Sequence, residues 1–129
     1  NNYIPIINEN DTVATDEIQF GDNDKLAALA ASLLNADLLI IATNTNGIYT
    51  KKSMKNSAPK TITEVFSFED LKNEVVQSKS THGTGGMASK IEAAEITKNA
   101  NIETWIVNGL EDHFITDAFE NKVPFTKIK

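Results

Sequence analysis

Apolar residues along this chain form short runs and helical stretches, separated by polar clusters rich in Asn, Asp and Gly. Ile4-Pro5-Ile6-Ile7 is predicted as a short buried strand, with Pro5 near its start, where a missing N–H is tolerated. Thr12 to Phe20 alternates loosely through Val13, Ile18 and Phe20, as a hairpin or an excursion would. Leu26, Leu29, Ala30, Leu33 and Leu34 follow the helical period, and Asp22 or Asp24 can cap that helix. Ala27, Ala28 and Ala31 make it apolar almost all round, which predicts burial between layers. Asp37 to Thr43 is a continuous apolar run, as expected of a central parallel strand covered on both faces.

Asn44-Thr45-Asn46-Gly47 then reads as a turn, with Asn46-Gly47 its strongest signal, and Ile48-Tyr49-Thr50 as a short strand. Lys51 to Lys60 is polar loop. Ser67-Phe68-Glu69-Asp70 has the shape of a capping box and opens a helix through Val76. Gln77 to Gly86 is rich in Ser, Thr and Gly and is expected to be mobile. Met87 to Asn99 is helical, with Met87, Ile91, Ala94 and Ile96 mostly on one side. Thr104 to Val107 is a strand ended by Asn108-Gly109, His113 to Glu120 a short helix, and Val123 to Ile128 a last strand. Strands alternating with helices predict an α/β three-layer sandwich with a largely parallel sheet.

Composition narrows the class. The 129 residues, 40% hydrophobic and 23% charged, fit one globular domain of ordinary size. No apolar run approaches the ~20 residues that span a bilayer, and no targeting pattern stands at Asn1, where the sequence begins without Met. Absent cysteine excludes a disulfide scaffold and thiolate metal sites and is compatible with the cytoplasm. A net charge of −6 argues against a nucleic-acid surface. Glu9, Asp11, Asp16, Glu17, Asp22 and Asp24 all precede the first base, Lys25, and arginine is absent. A phosphate clamp here must therefore use lysine as a point charge, backbone N–H groups or a metal.

Four polar clusters carry candidate chemistry, each with a plainer alternative. Gly83 to Lys90 feeds a helix: glycines let the backbone curl around an anion, the helix start offers free N–H groups, and Lys90 lies in its first turn. It is not a Walker A loop, because Ser89 stands before Lys90 where that motif has Gly. The same residues also suit a flexible linker before a helix. Asn8-Glu9-Asn10-Asp11 follows a strand, where open α/β sheets bind ligands, or is ordinary turn chemistry. Gly21-Asp22-Asn23-Asp24 exceeds the single residue a cap needs, leaving Asn23 for a substrate and Asp24 to orient a lysine. Thr43 to Gly47 ends the most apolar strand, as a ligand loop or a tight turn. His82 and His113 have no spaced partners for a metal or triad and read as surface residues; Trp105 fits the core better than a base-stacking platform. No metal ligand is assigned.

These clusters, in their order and spacing, resemble the glutamate 5-kinases of the amino acid kinase superfamily. The resemblance rests on Pro5 to Ala14, on Gly21 to Leu29, and on Gly85-Gly86-Met87 with Lys90. It implies a carbamate kinase-like fold and ATP-dependent phosphorylation of the L-glutamate γ-carboxylate, the first step of proline biosynthesis. It implies catalytic roles for Lys90 and Asp24, with glutamate bound by Asn8, Asp11 and Asn23. ATP is implied at Thr43 and Asn44 and along Thr84, Gly85, Gly86, Met87, Ala88, Ser89 and Lys90, with Mg²⁺ as cofactor. Asn44 stands where the family usually carries Asp, and Asn keeps acceptor capacity. A homo-oligomer in the cytoplasm, with proline as feedback inhibitor, is also implied. Residues 1–129 then correspond to the C-terminal, nucleotide-binding part of one kinase domain, and the chain is expected not to complete catalysis alone. Alternatives are an aspartate, acetylglutamate or UMP kinase of the same superfamily, or a non-catalytic ATP- or amino-acid-sensing module.

Overall fold

A computed structural model describes residues 3–7, 23–55, 57–74 and 86–129. Among these residues, helix α1 (Asn23–Leu33) leads into strand β1 (Leu38–Thr43). β2 (Glu64–Val65), α2 (Phe68–Glu74), α3 (Met87–Asn99), β3 (Glu103–Asn108), α4 (Phe114–Phe119) and β4 (Thr126–Ile128) follow. The sheet order is β1-β3-β4-β2. β1 and β3 run parallel in register from Leu38↔Glu103 to Thr43↔Asn108. β4 is antiparallel to β3 (Thr104↔Ile128) and parallel to β2 (Val65↔Ile128), so the sheet is mixed.

Three layers result, and β3 shows why. Its residues Thr104 to Val107 are all buried, because successive side chains leave opposite faces and both faces are covered. Ile106 packs with Ile48, Val65, Leu71, Ala94 and Ile128 beneath α2 and α3. Ile41 meets Ala28 of α1 and Ala93 of α3 on the same side. Trp105 and Val107 pack with Ala118 of α4 and with Phe125 on the other.

One local device sets the direction of each helix–strand unit. Asn35, Asn101 and Asn121 stand just past the ends of α1, α3 and α4 in the left-handed region (φ 49°, 58° and 53°). Asn tolerates that region better than most side chains. Ala36 N donates to Ala31 O, Ile102 N to Thr97 O and Lys122 N to Asp117 O, closing three Schellman turns. Each turn sends the chain straight back, α1 into β1 and α3 into β3. Because β1 and β3 are parallel, the N-termini of α1 and α3 come to the same end of the sheet, its carboxyl edge.

Several expectations need correction. Residues 4–7 form no strand: Ile4, Ile6 and Ile7 are exposed, Ile6 at 96%, since no described strand lies beside them. Among the described strands β1 lies at the edge of the sheet rather than at its centre, and Ala42 is exposed. α1 is not buried all round. Only Ala28 and Ala31 are buried, and Leu33 is 84% exposed, because described neighbours cover one side of the helix. Ile48-Tyr49-Thr50 makes only the isolated bridge Tyr49↔Thr61. The loop 51–60 contains a short 3₁₀ turn, Ser53–Lys55. β2, with two residues, has no counterpart in the sequence reading. The expected hairpin over 12–20 and the helix end at 75–76 lie outside the described residues, as does most of the segment expected to be mobile.

Candidate functional site at the carboxyl edge of the sheet

α3 buries Lys90, Ala93, Ala94 and Thr97, the stripe i, i+3, i+4, i+7. Alanines at its centre let α3 lie close to α1 and the sheet. Its polar ends are each satisfied. Thr97 Oγ1 donates to the Ala94 carbonyl at 3.0 Å and lies 2.6 Å from Thr104 Oγ1 on β3, from which it can accept. Lys90 poses the harder problem, because an ammonium taken from water needs an anion. Asp24, in the first turn of α1, supplies it: Lys90 Nζ lies 2.9 Å from Asp24 Oδ2, with the two side chains 11% and 15% exposed. Ser89 Oγ donates to the same oxygen at 2.9 Å. Nearer solvent, Lys25 of α1 pairs with Glu92 of α3 at 2.6 Å.

The start of α3 is built for an open amide end. Gly86 occupies the N-cap position in extended backbone (φ −71°, ψ 179°), and no side-chain cap is made among the described residues. The first N–H groups of a helix have no intrahelical partner, and the dipole makes that end attractive to anions. Lys90 sits one turn in, so a positive charge and the open amides share one locality. Met87 also anchors the helix by packing against the Ile106 core, while Ala88 is exposed.

Beside these helix starts the parallel strands end. Gly109 N donates to Thr43 O at 2.8 Å, joining the tips of β1 and β3. Asn108 Nδ2 donates to Asn46 Oδ1 at 3.0 Å, which fastens the 44–47 turn to β3. The turn is further tied by the Asn46 N–H to Tyr49 Oη and by Thr61 Oγ1 to Asn46 O. Asn44 is exposed on its outer side. A cavity of about 230 Å³ opens beside Asn46 and Asn108, lined also by Asp112, Phe114, Asp117 and Val123 among others.

Sequence-predicted site residues therefore divide. Asp24, Ser89 and Lys90 are in mutual contact. Asn23, Gly86, Thr43 and Asn44 lie at the same edge of the sheet. Asn8, Asp11, Thr84 and Gly85 lie outside the described residues. Nothing in the sequence marks Asn46 and Asn108, which fasten the turn to β3, as a pair beyond the glycine that follows each. The Ser89–Asp24 bond, spanning 65 positions, left no sequence signal. Among the described residues no three His, Cys, Asp or Glu side chains gather as a metal site, and no helix is long and apolar enough to cross a membrane.

Fold and site define an open α/β protein whose helix starts and a buried lysine–aspartate pair gather at the carboxyl edge of the sheet. The chain belongs to the amino acid kinase family, whose pattern matches residues 1–108. Glutamate 5-kinase of Aliivibrio fischeri is 41% identical over 128 residues, which is 98% of this chain and 35% of that protein. Glutamate 5-kinase of Proteus mirabilis is 45% identical over 123 residues, 95% of this chain and 34% of that protein. This chain thus spans about a third of the length of the curated relatives it matches. Among solved structures, carbamate kinase from Giardia lamblia bound to AMP-PNP superposes with a TM-score of 0.56 at 24% identity, over 83% of this chain and 31% of that one. That likeness bears out the carbamate kinase-like fold.

Proposed function

We propose that this chain is the nucleotide-side part of a glutamate 5-kinase, which uses ATP to phosphorylate the γ-carboxylate of L-glutamate to γ-glutamyl phosphate at the entry to proline biosynthesis. The identity to glutamate 5-kinases across nearly the whole chain supports the substrate. The observation that carries the chemistry is the buried Lys90–Asp24 pair beside the uncapped start of α3.

Phosphoryl transfer passes through a loose transition state, so positioning and charge neutralisation supply most of the acceleration. The amides at the start of α3 cradle the terminal phosphates, and Lys90 neutralises charge that develops on the transferring group. Asp24 holds the lysine by the ion pair and aims it. The acceptor carboxylate is ionised at neutral pH, so no general base is needed. Asn23, beside Asp24, contacts glutamate together with Asn8 and Asp11. Thr43 and Asn44 contact the nucleotide. The backbone N–H groups of Thr84, Gly85, Gly86, Met87, Ala88 and Ser89 wrap its phosphates. Mg²⁺, when bound with ATP, would supply further charge neutralisation on the phosphates. The enzyme works in the cytoplasm as a homo-oligomer, with proline as its inhibitor.

The test is ADP release by the full-length protein with glutamate, aspartate or UMP as acceptor. Release only with glutamate, trapped as the γ-hydroxamate, is expected. Release with aspartate or UMP instead would reassign the substrate. The isolated 129-residue chain is expected to show no turnover, since the resemblance puts a second phosphate loop and a second catalytic lysine elsewhere in the domain.

A further inference from the structure

We infer that Ser89 is a positioning residue: its hydroxyl fixes the Asp24 carboxylate so that Asp24 aims the Lys90 ammonium at the transferring phosphate. This rests on the kinase reading of the site. The geometry separates the role from simple helix capping. A capping hydroxyl accepts from a backbone N–H. Ser89 Oγ instead donates, and its two acceptors are Asp24 Oδ2 at 2.9 Å and Gly86 O at 2.8 Å. A hydroxyl carries one hydrogen, so it is shared between the carboxylate of α1 and the carbonyl of the glycine turn.

Ser89 and Lys90 converge on the same oxygen of Asp24. They contribute different things. An ammonium on a four-carbon stem is a mobile point charge and imposes little direction. The short serine side chain, rooted in the first turn of α3, imposes direction. It also makes the carboxylate answer to the glycine turn. Displacing the Gly86 carbonyl changes how much of the single Ser89 hydrogen is left for Asp24, and through Asp24 the placement of Lys90. Ser89 is thus a joint between the phosphate loop and the charge that acts on the phosphate.

The experiment is steady-state kinetics on the full-length enzyme. Ser89→Ala is expected to lower kcat about tenfold or more while KM for ATP moves less than about threefold, the loss expected for a hydrogen bond to a charged group. Ser89→Thr keeps the hydroxyl and is expected to retain at least about half of kcat. In an Asp24→Asn background, Ser89→Ala is expected to cost less than about threefold more, because residues acting through one another are not additive. Wild-type kcat in Ser89→Ala, equal losses in the Ala and Thr variants, or losses that multiply in the double variant would each overturn the inference. A full-length wild-type protein without glutamate-dependent ADP release would strike the kinase reading itself.

Discussion

Replacing Lys90 with methionine in the full-length enzyme is expected to lower kcat by about 10²- to 10³-fold, the usual loss when one preorganised donor to a developing negative charge is removed. Methionine keeps most of the apolar stem that lies in the α1–α3 seam and deletes only the ammonium. KM for glutamate is expected to change little, because the lost interaction is made in the transition state. A second effect accompanies the first. Asp24 keeps Ser89 and loses the Lys90 ammonium, and removing one member of a buried ion pair costs about 3–5 kcal/mol. The double variant Asp24→Asn with Lys90→Met removes that penalty. It is expected to regain stability without regaining turnover. A double variant that recovers both would show that the pair is a structural staple only.

Gly47→Ala is expected to lower stability by about 2–5 kcal/mol, read from the urea midpoint. Two terms add. Gly47 has φ +84°, a region that costs an L-residue about 1–2 kcal/mol. An added Cβ would also clash with Thr126 Oγ1 and meet Thr126 N at 2.7 Å, and overpacking costs about 1–3 kcal/mol. Thr126 cannot give way cheaply. It is fully buried, its hydroxyl accepts from Ile48 N at 2.8 Å and donates to Ile62 O at 2.6 Å, and its strand pairs with β3. The damage therefore spreads into the Thr43–Gly47 turn, and KM for ATP is expected to rise with the loss of stability. A change below about 1 kcal/mol would mean that the turn relaxes without this register.

Elements with a strong period were legible in the sequence. α3 begins and ends where its pattern does, and α1, β1 and β3 lie within a residue or two of expectation. The Asn46-Gly47 turn was legible because only glycine suits φ +84°. Direction was not: β4 is antiparallel to β3, and side-chain alternation is the same for either orientation. β2 has two residues, too few to show any period. Residues 4–7 had the composition of a strand, yet a strand exists only where another lies beside it. In the site, Lys90 was legible as a phosphate lysine after a glycine turn. That it ends the buried stripe of α3, and so depends on Asp24 for burial, follows from the packing of α1 on α3. Ser89 looked like one more loop residue because its partner lies on another helix.

The most direct measurement is a crystal structure of the full-length protein with a non-hydrolysable ATP analogue, Mg²⁺ and L-glutamate. The terminal phosphate should lie within hydrogen-bond reach, about 3 Å, of Lys90 Nζ and of the amides that open α3, with the glutamate γ-carboxylate about 3–3.5 Å away for in-line attack. A triphosphate seated away from the start of α3, with Lys90 still turned from it toward the interior, would contradict the shared role given to Lys90, Asp24 and the glycine turn.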